Sequence, residues 1–303
     1  MFILVQSKNV FLYSIEPISD FKSLSRAISL VENNSKDAMT LLQSLTPYQI
    51  PIIGVTGPPG AGKSTLINAI LHELLSEGKN IGMILIDPSS PFHFGALLGD
   101  RLRMTQHFTN PNIFIRSVAS RGSLGGLSDK IIEITEVMKS FPFDYIFIET
   151  VGVGQSEVEI AGLADTTVVV LVPEAGDSIQ AMKAGLMEIA NVFVVNKADR
   201  PDAEAFYNNL SLQLHINQRD YIPVMKTIAS ESQGIKELIA AINMASKTPT
   251  ESQRKMLLMA NKVYRLIQSQ KMADFDKTKL LADIESAVKE KNFSLYRFAK
   301  RFF

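Results

Sequence analysis

Glycines, a lysine and a serine that could bind phosphate stand together in the stretch GPPGAGKST, from Gly57 to Thr65. Residues without a Cβ let the backbone turn tightly and aim its N–H groups at one point, and the helix that follows such a turn adds its positive end. The Lys63 ammonium can reach the β and γ oxygens of a polyphosphate, and the Ser64 hydroxyl is a suitable ligand for Mg²⁺. The stretch therefore predicts a site for a nucleoside triphosphate and its metal ion.

The spacing G-x-x-x-x-G-K-[ST] is that of a P-loop. The stretch follows a short apolar run (51–55) and precedes an amphipathic one that begins at Thr65, which argues against an ordinary turn rich in Gly and Pro. We assign nucleotide binding to Gly57, Pro58, Pro59, Gly60, Ala61, Gly62, Lys63 and Ser64.

A second phosphate element is predicted at the end of the apolar run YIFIETV (145–151). Glu149 can hold the Mg²⁺ shell, and the N–H of Gly152 can approach the γ-phosphate, so Lys63, Glu149 and Gly152 are the candidate catalytic residues. Because Gly152 lies in V-G-V-G-Q, we expect this loop to change conformation when the γ-phosphate leaves.

Asn196, Lys197 and Asp199 form N-K-x-D directly after the apolar run NVFVV. A carboxylate there can accept both the N1–H and the exocyclic amine of guanine, a pair of donors that adenine does not have. Asn196 can bond the base and hold nearby loops, while the Lys197 stem covers the face of the base. The pattern favours GTP over ATP.

Two aspartates upstream are candidate Mg²⁺ ligands together with Ser64 and Glu149. Asp87 ends the run IGMILID, and Asp100 follows in a stretch that reads LGDR. A helix cap or a turn residue is the alternative role for each. For the neighbouring His93 and His107 we expect solvated or packing roles, because their spacing does not suggest a metal site.

Alternating apolar runs and helical patterns predict the fold class: an α/β P-loop NTPase with a mainly parallel sheet, helices on both faces, and N-terminal and C-terminal helical extensions. We expect an N-terminal helical extension at residues 1–48, a nucleotide-binding domain at 49–248 and a C-terminal helical region at 249–303. Ligands should bind at the carboxyl ends of the strands.

Composition excludes several classes of function. Lys and Arg together number 31, as do Asp and Glu, so no net charge attracts nucleic acid or an anionic membrane. The absence of cysteine excludes disulfides and thiolate metal sites and fits a reducing compartment. No apolar stretch reaches membrane-spanning length, and the N-terminus lacks the marks of a signal peptide. We therefore expect a soluble, cytoplasmic protein.

The motifs GPPGAGKST, IDPSSP, LGDRLRM, SRGSLGG, ETVGVGQSE, AGDSIQAMKAGLMEIA and NKAD occur in this order. In this set the chain resembles the MeaB/ArgK family of P-loop GTPases, over about two thirds of its length. The resemblance implies a GTP-hydrolysing chaperone that gates cofactor loading and protects an adenosylcobalamin-dependent acyl-CoA mutase, usually methylmalonyl-CoA mutase. It also implies GTP/GDP and Mg²⁺ as ligands and a homodimer formed through C-terminal helices.

The resemblance adds residues to the predicted site. Thr65 joins the phosphate loop, and Ala229 joins the guanine contacts. The segment 176–185, with Gln180 and Lys183, matches a mobile loop that couples nucleotide to partner, and we assign Gln155 to the same coupling. Two departures stand out: Ile228-Ala229 replaces the usual Ser-Ala turn, and Glu174 replaces a glycine beside the coupling loop.

The order of residues in the V-G-V-G-Q loop predicts slow intrinsic hydrolysis. Ras-like GTPases place a water-orienting Gln directly after the switch glycine, whereas this chain has Val153 there and Gln155 two positions later. Three alternatives to a mutase chaperone remain open: a kinase or ATPase linked to amino-acid transport, a GTP-dependent metallochaperone, and a scaffold that binds GTP without hydrolysing it.

Overall fold

Seven strands form one parallel sheet in the computed structural model of the protein, six of them at apolar runs of the sequence and the seventh at the mixed stretch VMKT. The structure describes residues 18–87, 104–107, 109–119, 130–150, 156–173, 185–247, 253–272, 275–289 and 293–302. The strands are β1 (Ile52–Thr56), β2 (Ile81–Asp87), β3 (Ile113–Ala119), β4 (Tyr145–Glu149), β5 (Thr166–Leu171), β6 (Val192–Asn196) and β7 (Val224–Thr227).

Strand order places β1 at the centre of the sheet. The order is β3-β2-β4-β1-β5-β6-β7, and every pairing is parallel. The strands β1, β5 and β6 are buried along their whole length, as is usual for a parallel sheet covered on both faces. The chain leaves β1 toward β2 on one side and later reaches β5 on the other, so the carboxyl end of β1 lies at a topological switch point.

Helices cover both faces, which confirms the predicted fold class. The helices are α1 (Phe21–Glu32), α2 (Ala38–Ser44), α3 (Lys63–Ser76), α4 (Ile131–Lys139), α5 (Ser156–Leu163), α6 (Leu186–Ile189), α7 (Ala203–Ile216), α8 (Ile235–Lys247), α9 (Gln253–Lys271), α10 (Lys277–Val288) and α11 (Leu295–Ala299). Val168 and Val170 of β5 pack with α3 and α8 on one face of the sheet, and Val169 and Leu171 pack with α6 and α7 on the other.

Edge strand β3 is longer than its apolar run of 113–115 suggests. Its polar residue Arg116 donates hydrogen bonds to Ser29 and Glu32 of α1, which allows a charged side chain in a half-buried strand. Helical patterns in the sequence cover residues 124–138 and 178–189 and extend outside the described residues. Within the described residues, the corresponding helices are Ile131–Lys139 and Leu186–Ile189.

The first helix packs on the domain through an apolar face and an aromatic cluster. Leu24, Ile28 and Val31 are buried, and α1 packs against α4. The Phe21 ring lies 5.5 Å from Phe114 and 5.2 Å from Phe141, measured between ring centroids.

The chain divides into the compact units Met1–Lys255 and Met256–Phe303. The finer division at residues 48 and 248 stays a prediction. Among the described residues, no helix has the length and apolar character needed to cross a bilayer.

Packing of α1 is testable with two leucines of the same helix. Leu24 is fully buried and Leu30 is 38% exposed. We expect Leu24→Ala to lower the free energy of unfolding by about 2–5 kcal/mol, because it leaves a cavity, and Leu30→Ala to change it by no more than about 0.5 kcal/mol. Urea denaturation measures both, and equal losses would contradict the described packing.

Candidate functional site

The glycine-rich loop joins β1 to α3 at the centre of the sheet. Gly57, Gly60 and Gly62 have positive φ angles of 138°, 77° and 83°. A Cβ on Gly57 would lie 2.1 Å from the carbonyl oxygen of Val170, and one on Gly62 would lie 2.5 Å from Nδ2 of Asn196. The loop therefore lies so close to β5 and β6 that only glycine fits at these two positions.

The ammonium group of Lys63 binds to the backbone of the same loop. Its Nζ donates to the carbonyl oxygens of Gly57, at 2.8 Å, and Pro58, at 3.1 Å, and its side chain is buried. Lys63 and Ser64 form the start of α3, whereas the apolar pattern had placed the beginning of this helix at Thr65. The structure thus brings an ammonium group to the turn where the glycines gather the backbone N–H groups.

Two oxygen groups that could bind a metal ion meet beside the loop. Ser64 Oγ donates to Glu149 Oε1 at 2.7 Å, and Glu149 is the last residue of β4, the neighbour of β1. Asp87 is the last residue of β2, which pairs with β4 on its other side. A hydroxyl and a carboxylate are hard ligands of the kind Mg²⁺ prefers, so this pair fits the ion together with phosphate oxygens and water. Among the described residues, no group of three His, Cys, Asp or Glu forms a metal site.

Asn196 connects the phosphate side of the site to the predicted base side. Its Nδ2 donates to the carbonyl oxygen of Ala61 at 2.9 Å. Its Oδ1 accepts from the Thr227 hydroxyl at 3.0 Å and from the N–H of Ala229 at 3.2 Å. The side chain is buried, so these bonds replace the water that it loses.

The other residues of the N-K-x-D motif follow Asn196 on an exposed turn. Lys197 has a φ of 55° and is half-buried, and Asp199 is exposed. The N–H of Ala198 donates to the carbonyl oxygen of Thr227 at 3.0 Å, which fixes this turn to the end of β7. Asp199 is thus accessible from solvent on the turn that follows Asn196.

Sequence reasoning missed three threonines. Thr227 orients Asn196, and Thr56 and Thr150 bond to each other through their hydroxyls at 2.9 Å. Each is buried and lies at or directly after the end of a strand. For Thr56, a hydroxyl at the last position of an otherwise apolar run was the signal available in the sequence. Thr150 follows Glu149 and Thr227 follows Lys226, so neither has that signal.

His107 has the packing role expected of it. It is buried, and its Nε2 lies 3.2 Å from Oδ1 of Asn68 on α3. Burial, and to a lesser degree the charge of His72, lower the pKa of His107 below its ordinary value. The ring is therefore neutral at pH 7, as suits a packed side chain.

Several predicted site residues lie outside the described part of the chain: Asp100, Gly152, Gln155, Gln180 and Lys183. The main-chain position of Asp87 is described, and its side chain is not. The roles assigned to all six stay predictions.

Comparison with known proteins identifies a group of GTPases. The family described as methylmalonyl-CoA mutase-associated GTPase MeaB matches residues 24–280. A Pyrococcus abyssi protein described as a GTPase is 48% identical over 227 residues, which make up 72% of this chain and 70% of that protein. GTPase ArgK of Escherichia coli is 37% identical over 236 residues, or 73% of this chain and 70% of ArgK.

A mouse protein and a solved structure extend the comparison. The mouse methylmalonic aciduria type A homolog, described as mitochondrial, is 31% identical over 239 residues, covering 74% of this chain and 56% of the mouse protein. A crystal structure of a LAO/AO transport system kinase aligns with a TM-score of 0.64 at 26% identity, over 92% of this chain and 91% of the other.

The close approach of Gly57 to β5 gives a test of the loop geometry in the nucleotide-free protein. Gly57 and Gly60 both have positive φ, but a Cβ on Gly60 would meet no atom within 4 Å. We expect Gly57→Ala to cost about 1–3 kcal/mol more stability than Gly60→Ala, because only the former drives a methyl group into a backbone oxygen. Thermal or urea unfolding compares the two variants, and an equal cost would show that the loop does not rest on Val170.

Proposed function

The chain belongs to the family of methylmalonyl-CoA mutase-associated GTPases, and we propose that it is a Mg²⁺-dependent chaperone of an adenosylcobalamin-dependent acyl-CoA mutase. In this role, GTP binding and hydrolysis gate the loading of the mutase with its cofactor and protect the loaded enzyme. The family match over residues 24–280 is the observation that carries the proposal.

Hydrolysis in this site proceeds by in-line attack of water on the γ-phosphorus. The bond to the β-phosphate oxygen breaks, and GDP and phosphate leave without a covalent enzyme intermediate. Backbone N–H groups of the loop and the Lys63 ammonium, which is already held at Gly57 and Pro58, bind the phosphate oxygens.

Ser64 and Glu149, with Asp87 and Asp100 as further candidates, would hold Mg²⁺. When bound, the ion neutralises charge on the β and γ oxygens. The Glu149 carboxylate accepts the Ser64 hydroxyl in the described state, and this bond orients both groups toward the loop.

Coupling to the mutase is assigned to two segments of the chain. They are the V-G-V-G-Q stretch with Gln155, and segment 176–185 with Gln180 and Lys183. The residues directly after the second segment are well anchored, since Arg219 Nη1 donates to the carbonyl oxygen of Met187 at 2.6 Å. A segment whose conformation depends on the nucleotide can transmit the state of the nucleotide to a partner.

The C-terminal region supports a homodimer. Leu257, Val263, Tyr264 and Ile267 of α9 are between 48% and 61% exposed, which is unusual for large apolar side chains repeated along one helix. We propose that a second copy of the chain covers them. Light scattering measures the mass in solution, and a monomer at micromolar concentration would contradict this proposal.

The similarity to a transport-system kinase raises the question of whether the site prefers GTP or ATP. If Asp199 reads guanine, Asp199→Asn should weaken GTP binding by about ten- to a hundredfold, because a charge-assisted pair of hydrogen bonds is lost. The same change should strengthen binding of xanthosine triphosphate, whose second exocyclic oxygen can accept from the new amide. Fluorescence competition against GTP, XTP and ATP measures these affinities.

Asp202→Asn is the matched control, because Asp202 is also exposed and lies three residues further along the chain, directly before α7. It should bind all three nucleotides as the wild-type protein does. Tighter binding of ATP than of GTP by the wild-type protein would contradict the guanine assignment and favour the kinase alternative.

A phosphate-release assay tests the chaperone role. We expect slow GTP hydrolysis by the purified protein alone. Adding methylmalonyl-CoA mutase from the same organism should stimulate it by more than about tenfold, because the partner positions the groups that act on the attacking water. ATP serves as the control nucleotide.

Two variants control this assay. Lys63→Ala should release no phosphate with or without the mutase, whereas Lys79→Ala, past the other end of α3, should behave as the wild type does. Rapid turnover by the free protein, or the absence of both stimulation and a complex with the mutase, would contradict the proposed role.

A further inference from the structure

Two buried hydroxyls meet between the ends of β1 and β4. Thr150 Oγ1 donates to Thr56 Oγ1 at 2.9 Å, and the side chains of Thr56 and Thr150 are 0% and 2% exposed. The main chains are joined at the same place, since the N–H of Thr150 donates to the carbonyl oxygen of Val55 at 3.1 Å. Replacing both partners of a buried hydrogen bond by apolar groups of the same shape, here valine, is often neutral or stabilising, so packing alone does not require this pair of hydroxyls.

The position of this bridge connects it to the phosphate site on both sides. Thr56 directly precedes Gly57, whose carbonyl oxygen accepts from Lys63. Thr150 directly follows Glu149, whose carboxylate accepts from Ser64. The bridge therefore joins the chain segment that receives the ammonium to the segment that carries the carboxylate.

We propose that Thr56 and Thr150 are positioning residues for GTP hydrolysis, whose hydroxyl bridge fixes the Glu149 carboxylate relative to the phosphate loop. The inference rests on the GTPase activity of the site and is independent of the mutase as partner. Neither threonine touches the nucleotide in this scheme, because both hydroxyls are buried beneath the strand ends. They act through Glu149 and through the start of the loop that leads to Gly152.

The bridge should affect turnover more than nucleotide binding. The phosphate loop has its own supports, the contact of Gly57 with Val170 and the bond from Asn196 to Ala61, and neither involves Thr150. Without the bridge these supports remain, so the loop keeps its shape and KM for GTP changes little. The Glu149 carboxylate loses its fixed position. The metal ligands are then less well oriented, and kcat falls.

A second hydroxyl pair in the same sheet provides a matched control. Thr166 Oγ1 lies 2.8 Å from Ser246 Oγ, and Thr166 is fully buried. It is the first residue of β5, so it lies at the amino ends of the parallel strands, whereas the nucleotide site lies at their carboxyl ends. Loss of this pair tests what a buried hydroxyl contributes to stability alone.

The experiment compares alanine with serine at each position, because these two residues differ only by the hydroxyl. Single-turnover and steady-state assays give kcat and KM for GTP in Thr150→Ala, Thr150→Ser, Thr166→Ala and Thr166→Ser. A second readout, which needs no hydrolysis, is the Mg²⁺ concentration that gives half-maximal binding of a fluorescent GDP analogue. Thr56→Ala and Thr56→Ser repeat the test from the other side of the bridge if Thr150→Ala does not fold.

We expect Thr150→Ala to have a kcat about tenfold below that of Thr150→Ser, the change that corresponds to one buried hydrogen bond, with KM within about twofold. The half-maximal Mg²⁺ concentration should rise by about tenfold, as happens when a group that orients a metal ligand is removed. Thr166→Ala should lower the melting temperature relative to Thr166→Ser and leave kcat and the Mg²⁺ dependence unchanged.

Equal kcat and equal Mg²⁺ dependence in Thr150→Ala and Thr150→Ser would overturn the inference, and so would the same change in the Thr166 pair. A wild-type protein that binds GTP and does not hydrolyse it would contradict the proposed function instead. The Mg²⁺ dependence of GDP binding then decides the positioning role by itself.

Discussion

The Asn196 side chain holds together the elements on which the site depends. One buried amide donates to Ala61 in the phosphate loop and accepts from Thr227 and Ala229 on the predicted base side. A buried amide without these partners would carry a large desolvation cost, so the two loops and the end of β6 are stable mainly in each other's presence. The phosphate loop and the predicted base side are therefore joined by a physical constraint, and their positions depend on each other.

The parallel sheet makes this arrangement possible. Because β1 lies between β4 and β5, the loop that leaves β1 meets a carboxylate from one neighbour and a backbone carbonyl from the other. The apolar residues that bury both faces of the central strands contribute no chemistry of their own. They fix the strand ends to within the distances that hydrogen bonds require.

Strong and weak parts of the site differ in how they are supported. Lys63 and Ser64 belong to a helix that is anchored in the core by residues such as Leu66 and Ile67, and their positions follow from that packing. Glu149 lies at the last position of its strand and depends on local hydrogen bonds for its orientation. A site built in this way can hold nucleotide firmly while its catalytic geometry responds to small changes beside β4.

The sequence by itself determined the strand-loop-helix around Gly57–Thr65, the parallel sheet and the family, because each depends on local residue spacing that can be recognised in the sequence. It also located Asn196 and Asp199 through their order after an apolar run. Only the tertiary structure decided that Asn196 joins the phosphate loop to the end of β7 and the turn after it, that Gly57 lies against Val170, and that Thr56 bonds to Thr150. These contacts join residues about 30–135 positions apart in the chain. Sequence periodicity reports which face of an element is buried, whereas the pairing of side chains across strand ends depends on sheet order and register, which periodicity does not encode.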